Sequence, residues 1–238
     1  SAYKAVGTLE SGAVGEGEVI PLSHYATQKV TFTPITLNKW AKATSAEAIM
    51  DRGFDQAVGM TTNKMLSQVQ GAIKTAFFNF LTTTSGVTTT SGTGLQATLA
   101  QSWGQLQIKF EDQDIQMVSF VNPLDIADYL SSANVVLAQA FGMTYIENFL
   151  GLGKVFVTTG VAKGTVVSTA SDNIVLYYVP VNGADLGNAF SFKSDETGLI
   201  GIHEEPDYSN LTCIDTVLSG VTLFAERLDG IIKATVNP

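Results

Sequence analysis

From about Asp55 to Thr82, apolar residues recur at steps of three and four: Val58, Met65, Leu66, Val69, Ala72, Ile73, Ala76, Phe77 and Phe80. That period lines them up along one stripe of an α-helix. Roughly 26 helical residues would reach about 39 Å, longer than most helices of globular domains. From Met60 to Thr82, Lys64 and Lys74 are the only charges, so even the outer face is nearly neutral. Just upstream, Thr44 and Glu47 have capping-box spacing ahead of Ala48, Ile49 and Met50, which predicts a first helical turn there. Gly53 predicts an interruption between the two helical stretches. Periodicity by itself also allows the core helix of an ordinary α+β domain.

What precedes the helix is unusual for a compact enzyme. A glycine-flanked acidic strand over 15–22 leads into a long second strand over 28–40. The β-branched and apolar runs 20–25 and 30–37 predict a hairpin. Pro34 lies inside the second run, and a proline removes a ladder hydrogen bond, so that strand is expected at an edge or as a projecting loop. Residues 1–18 are glycine-rich without helical period and predict an extended arm.

Downstream, the tract TTTSGVTTTSGTG over 82–94 predicts a boundary or flexible loop. A helix follows with Leu95, Leu99, Trp103 and Leu106 on one stripe, then a short buried strand over 117–121. Asn122 as cap and Pro123 at the first helical position predict a helix carrying Ile126, Tyr129 and Leu130. Strands are expected over 155–159, 165–169, 174–181, 199–203, 211–224 and 230–236, with a loop or short helix over 182–190.

Composition narrows the function without naming it. Charged residues make up 15% of the chain, against about 25% in an average soluble domain. With 45% apolar residues and a mean hydropathy of +0.20, few charges remain to cover the folded surface. Two readings stay open: a surface buried against other chains, or a well-filled monomer rich in Ala, Gly, Thr and Val. Thirteen Lys and Arg against 22 Asp and Glu give a net charge of −9. Nucleic-acid binding through phosphates needs a basic face, and this balance supplies none. Cys213 is the only cysteine, which excludes a disulfide framework and a thiolate metal cluster, and its strand-like setting predicts a buried, inert thiol. No apolar run reaches the roughly 18 residues that span a membrane. The opening 1–7 has no hydrophobic run of a signal peptide, so no secretory leader is expected there.

Motifs that could carry chemistry are weak. Gly92, Gly94 and Ala97 match the dinucleotide fingerprint, but that fingerprint needs a strand turning straight into a helix. A Ser/Thr/Gly tract precedes it here, which predicts a helix-entry loop. Gly151-Leu152-Gly153-Lys154 lacks the rest of a phosphate loop and predicts a turn. Glu111, Asp112, Gln113 and Asp114 lack the glycine and distal glutamate of a calcium loop. Asp125 and Asp128 suit a helix start. His203 with Glu204 and Glu205 is a faint acid/base candidate, and Pro206 and Asp207 beside them favour a plain strand-end turn. His24 and His203 are the only histidines, and no zinc-protease spacing or nucleophile elbow occurs. No catalytic residue, cofactor or metal is therefore expected.

The segment GEGEVIPLSHYATQKVTFTPITLNKWAKATSAEAIMDRGFDQAVG resembles the major capsid proteins of tailed bacteriophages. So do GLQATLAQSWGQLQIKFEDQD, VSFVNPLDIADYL, AFGMTYIENFLGLGKV, NIVLYYVPVNGADLGNAF, DETGLIGI and LFAERLDGII, which together span the chain. The resemblance implies the α+β Hong Kong 97-like capsid fold, with an N-terminal arm (1–14) and an extended β-hairpin loop (15–43). A peripheral domain with a long spine helix (44–115 and 215–238) and an axial domain (116–214) would follow. It implies a non-enzymatic major capsid protein that self-assembles as pentamers and hexamers into an icosahedral phage head enclosing double-stranded DNA. Portal, and scaffold or decoration proteins, would be its other partners, with no sequence-specific DNA contact and no membrane. Its place would be the virion, after assembly in the host bacterial cytoplasm. Expected interface residues are Val19, Ile20, Leu22, Tyr25, Phe32, Ile35, Leu37 and Trp40 in the loop. Gly183, Asp185, Leu186 and Phe190 are expected at the axial contact. The alternatives are an encapsulin-type shell of the same fold and, from another class, a nucleotide-dependent enzyme using Gly92 to Ala97.

Overall fold

In the computed structural model, which describes residues 2–10, 19, 22–30, 35–111, 114–131, 136–140 and 143–238, the chain opens with strands. These are β1 (Ala2–Thr8), β2 (His24–Val30) and β3 (Asn38–Ser45), followed by helices α1 (Ala46–Arg52) and α2 (Met60–Thr83). Next come β4 (Thr88–Thr93), α3 (Gly94–Lys109), β5 (Met117–Val121) and α4 (Pro123–Leu130). Strands β6 (Ala138–Ala140), β7 (Met143–Ile146), β8 (Gly153–Val157), β9 (Thr165–Ala170) and β10 (Ile174–Tyr178) follow. The chain then runs through α5 (Ala184–Gly187), β11 (Lys193–Ser194) and β12 (Ile200–Asp207). It closes with β13 (Thr212–Ser219), β14 (Val221–Ala225) and β15 (Ile231–Asn237).

The long helix forms as its period requires. Gly53, at φ +81°, ends α1 by donating its N–H to Ile49 O. Helical backbone resumes at once through a π turn at Asp55–Gly59 and runs on into the 24 residues of α2. A π turn leaves carbonyls without their usual partners. The Thr61 hydroxyl donates back to Ala57 O and Val58 O. The start of α1 lies one residue later than its capping-box spacing suggested. Ser45 Oγ accepts the Ala48 N–H at 3.3 Å, because pairing of β3 with β13 holds Thr44 inside the strand.

Two sheets flank α2. The larger has seven strands in the order β4-β15-β9-β5-β8-β7-β6, in which β4 with β15 and β5 with β8 run parallel. Both its faces are covered. Val121 and Val166 pack on one side with Leu95 and Leu99 of α3 and Ile126 of α4. Phe120 and Val167 pack on the other with Phe78 and Leu81 at the end of α2. This explains why β5 carries apolar residues on both faces, since adjacent residues point to opposite buried sides, with only Ser119 polar and hydrogen-bonded to Ser168. The smaller sheet, β11-β12-β13-β3, is antiparallel and packs Val217, Ile200 and Trp40 under Val69, Met65 and Ile73 of α2. One helix therefore ties two sheets together.

Several expectations are corrected. The tract 82–94 ends in an ordered strand, β4, because threonine is β-branched and suits a pleated edge. Phe78 and Leu81 are the buried residues near the end of α2, while Ala72 and Ala76 face outward. On α3, Trp103 is 39% exposed, and the buried stripe instead contains Thr98 and Ser102. Their hydroxyls are satisfied by carbonyls one turn back, so they pack as small core residues. The run 211–224 splits at Gly220, where Leu37 and Val179 crowd the backbone. Asn122 caps α4 as expected, accepting Leu124 N–H at 3.0 Å and donating to Val161 O at 2.8 Å.

The N-terminal hairpin is built differently from the expected one. β2 pairs back onto β1, from Thr8↔His24 to Ala2↔Val30, so residues expected as a free arm supply a strand. Residues 31–34, with Pro34 and Phe32, lie outside the described residues. Asn38–Ser45 does not project with the hairpin but forms the β3 edge of the smaller sheet.

Candidate functional site

The β1–β2 hairpin carries the most exposed apolar side chains near the N-terminus. Val19 is 90%, Leu22 79% and Tyr25 62% exposed, and Ile35 lies at the exposed margin. Among the described residues none of these belongs to a hydrophobic cluster of the subunit. A lone two-stranded ribbon is marginal in water and needs a surface to lie on. Ile20 and Phe32 fall outside the described residues. Trp40 is turned inward instead, against Val69 and Val217.

The structure brings three of the remaining expected contact residues together. Leu37, Leu186 and Phe190 line one open groove of about 670 Å³, with Lys39, His203 and Glu205 as its polar members. Gly183 precedes α5 in a tight bend, donating to Pro180 O, and a side chain there would meet the Pro180 ring at 3.0 Å. Asp185 falls within α5, and its side chain is outside the described atoms. His203 is one of the residues lining the groove: Nδ1 lies 2.6 Å from Ser191 O, and Nε2 lies 3.5 Å from Glu205. That geometry tethers the loop of residues 188–192 to β12.

Glu204 belongs elsewhere, since successive strand residues face opposite sides. It joins Cys213 and Asp215, with one donor atom of each within 4.8 Å of the others. Asp215 is fully buried, and its Oδ2 pairs with Lys42 Nζ at 2.5 Å and lies 2.5 Å from Thr62 Oγ1. Cys213, expected buried, is half-buried. Burial first, then the Glu204 and Asp215 carboxylates, push its thiol pKa up, which favours the protonated thiol as long as no cation sits beside it. Sequence reading missed this cluster because only strand register places Glu204 beside Asp215 and Asp215 beside Lys42.

A strand does precede the glycine fingerprint, contrary to expectation, and it turns directly into α3. The surroundings do not suit a pyrophosphate. The cleft at Gly94 is lined by Asp125, Asp128, Asn237 and Pro238, so two aspartate carboxylates border the space. Asp125 accepts the Gly164 N–H at 2.9 Å, and Asp128 pairs with Lys163 at 3.0 Å. Gly92 is needed for packing, because a side chain there would lie 2.5 Å from Thr98 N. Gly151 and Gly153, at φ +76° and +141°, form the expected turn into β8. Of the acidic run 111–114, Asp112 and Gln113 lie outside the described residues. Among the described residues no helix is long and apolar enough to cross a membrane.

No protein-family model matches the sequence, and no curated protein matches it. Solved structures do match the fold. The mature capsid of bacteriophage PhiM1 overlays with a TM-score of 0.64 at 9% identity, covering 99% of this chain and 82% of that one. The capsid of cyanophage A-1(L) overlays at 0.64 with 13% identity, covering 98% of this chain and 88% of that one. The SrpI encapsulin complex of Synechococcus elongatus overlays at 0.55 with 11% identity, covering 90% and 78%. The chain has the Hong Kong 97-like fold of these shell proteins.

Proposed function

We propose that the chain is a structural major capsid protein that assembles with copies of itself as pentamers and hexamers into an icosahedral phage head. The observation that carries this reading is the overlay with phage capsids along 98–99% of the chain. The exposed hairpin supports it, since Val19, Leu22 and Tyr25 have no partner surface in their own subunit's clusters. In this reading residues 1–14 and 15–43 supply the arm and extended loop, except that 38–43 belong to β3 of the smaller sheet, with β1 and β2 as one ribbon laid across a neighbour. Residues 44–115 and 215–238 form the peripheral domain, spanned by α2, and 116–214 the axial domain, with the Leu186–Phe190 groove at its contact. The shell would enclose double-stranded DNA, and a net charge of −9 keeps the duplex from being held by counterion release. Portal, scaffold and decoration proteins would be further partners, assembly would take place in the host bacterial cytoplasm, and no catalysis is assigned.

Leu22→Ser with Tyr25→Ser separates assembly from folding. Removing both apolar groups costs a contact that buries them fully about 3–6 kcal/mol, repeated at every copy. The expected result is a subunit that melts cooperatively by circular dichroism and forms few closed shells by negative-stain microscopy. Normal shells from the double variant would remove the hairpin from the assembly contacts. Small particles from the unaltered chain under all conditions would overturn the shell reading. An encapsulin-type shell is the second reading, resting on the Synechococcus overlay, and shells purified from a producing host that contain protein cargo and no DNA would establish it.

A further inference from the structure

We propose that Glu204, Cys213 and Asp215 form a binding site for a divalent cation of the zinc class, on the face of the smaller sheet beneath the start of α2. Register builds it. Glu204 of β12 stands directly opposite Asp215 of β13, and Cys213 lies two residues from Asp215 on the same face. One donor atom from each already lies within 4.8 Å of the others. Tetrahedral zinc, with Zn–S of about 2.3 Å and Zn–O of about 2.1 Å, needs ligand atoms about 3.5 Å apart. With Asp215 held by Lys42 and Thr62, the site requires Glu204 and Cys213 to rotate toward it to close that gap.

A second observation points to a ligand. Asp215 is fully buried, yet its Oδ1 has no hydrogen-bond partner among the described residues. Native structures rarely leave a buried carboxylate oxygen unpaired. Oδ2 is held from the β3 side by Lys42 and from α2 by Thr62, which leaves Oδ1 as the oxygen free to take a ligand. Lys42 and Thr62 then stand as outer groups that fix a ligating carboxylate, an arrangement usual around bound metals. Charge agrees with this assignment. With the thiol deprotonated on binding, three anionic ligands face one ammonium, and a dication brings the cluster to neutrality. A thiolate among the donors disfavours magnesium and calcium and selects zinc-like ions. Three protein ligands leave one position open, and Glu204 is exposed, so water reaches it. Bound metal would clamp β12 to β13 where α2 rests on them, a property of the subunit that does not depend on shell assembly.

Cobalt(II) titrated into the full chain tests the site, because thiolate ligation gives a near-ultraviolet charge-transfer band and tetrahedral coordination gives strong visible bands. The expected result is one equivalent bound, displaced by zinc, with zinc raising the Tm of the unaltered chain. Cys213→Ser should abolish the near-ultraviolet band, and Glu204→Gln, at an exposed position that leaves the fold intact, should weaken binding at least tenfold. A folded chain that shows no thiolate band at millimolar cobalt would overturn the proposal. So would cobalt affinity unchanged by Cys213→Ser or by Glu204→Gln.

Discussion

Replacing either of two glycines by alanine makes the same chemical change with opposite expected signs. At Gly92 the new methyl carbon would lie 2.5 Å from Thr98 N and 2.7 Å from Ala97 C, all helix backbone. No side chain can swing aside, so α3 must shift by roughly 1 Å to reach ordinary contact distance. That helix is anchored through Leu95, Leu99 and Leu106, each essentially buried. Overpacking of this kind costs about 1–3 kcal/mol, and a rigid backbone neighbour places it at the upper end. Loss of glycine freedom in the unfolded chain offsets about 0.4–1 kcal/mol. The net expectation is about 2 kcal/mol of destabilisation, or a Tm lower by about 4–8 °C for a chain of this size. At Gly71 in α2 nothing lies within 4 Å of the added carbon. There the substitution improves helix propensity and should stabilise by about 0.5–1 kcal/mol, raising Tm by about 1–4 °C. Thermal melts of unassembled subunits, followed by circular dichroism, read both. A Gly92→Ala variant as stable as the parent would refute the packing role assigned to this glycine.

Other expectations follow from burial and charge. Leu81→Ala should cost about 2–5 kcal/mol, because Leu81 is fully buried among Phe78, Phe120 and Ile231; Ile73→Ala, half-buried against the smaller sheet, should cost less in the same melts. Asp207 has its carboxyl pKa lowered, first by the Ser209 hydroxyl, then by the Ser209 N–H and the Asn210 side chain. A lowered folded pKa contributes stability that is present above the unfolded value of about 3.9 and lost as pH falls through the folded one. Urea midpoints measured from pH 5 down to pH 2.5 should therefore fall less steeply for Asp207→Asn than for the parent, and equal slopes would show that this turn does not matter to acid stability.

Asn122 and Pro123 were legible as a helix start because a cap and a fixed φ act within one turn. The helical period from Val58 onward was legible for the same reason. Gly220 was not, since what splits its strand is the approach of Leu37 and Val179 from other parts of the chain. The threonine tract over 82–94 reads as loop composition, and it became a strand only because β15 stood ready to pair with it. The exposed hairpin residues Leu22 and Tyr25 were named from a resemblance, and the strand that pairs with theirs, β1, lay in a segment whose own composition suggested a free arm.

By itself the sequence determined the elements whose physics is local: the long helix, its interruption at Gly53 and the cap at Asn122. The tertiary structure alone decided which of those residues meet. Register across three strands set Glu204, Asp215 and Lys42 side by side. The fold of the chain brought Leu37 to Leu186 and Phe190. Turn chemistry and periodicity act over a few neighbouring residues, whereas strand pairing joins positions far apart in sequence, and one chain read alone carries no record of that choice.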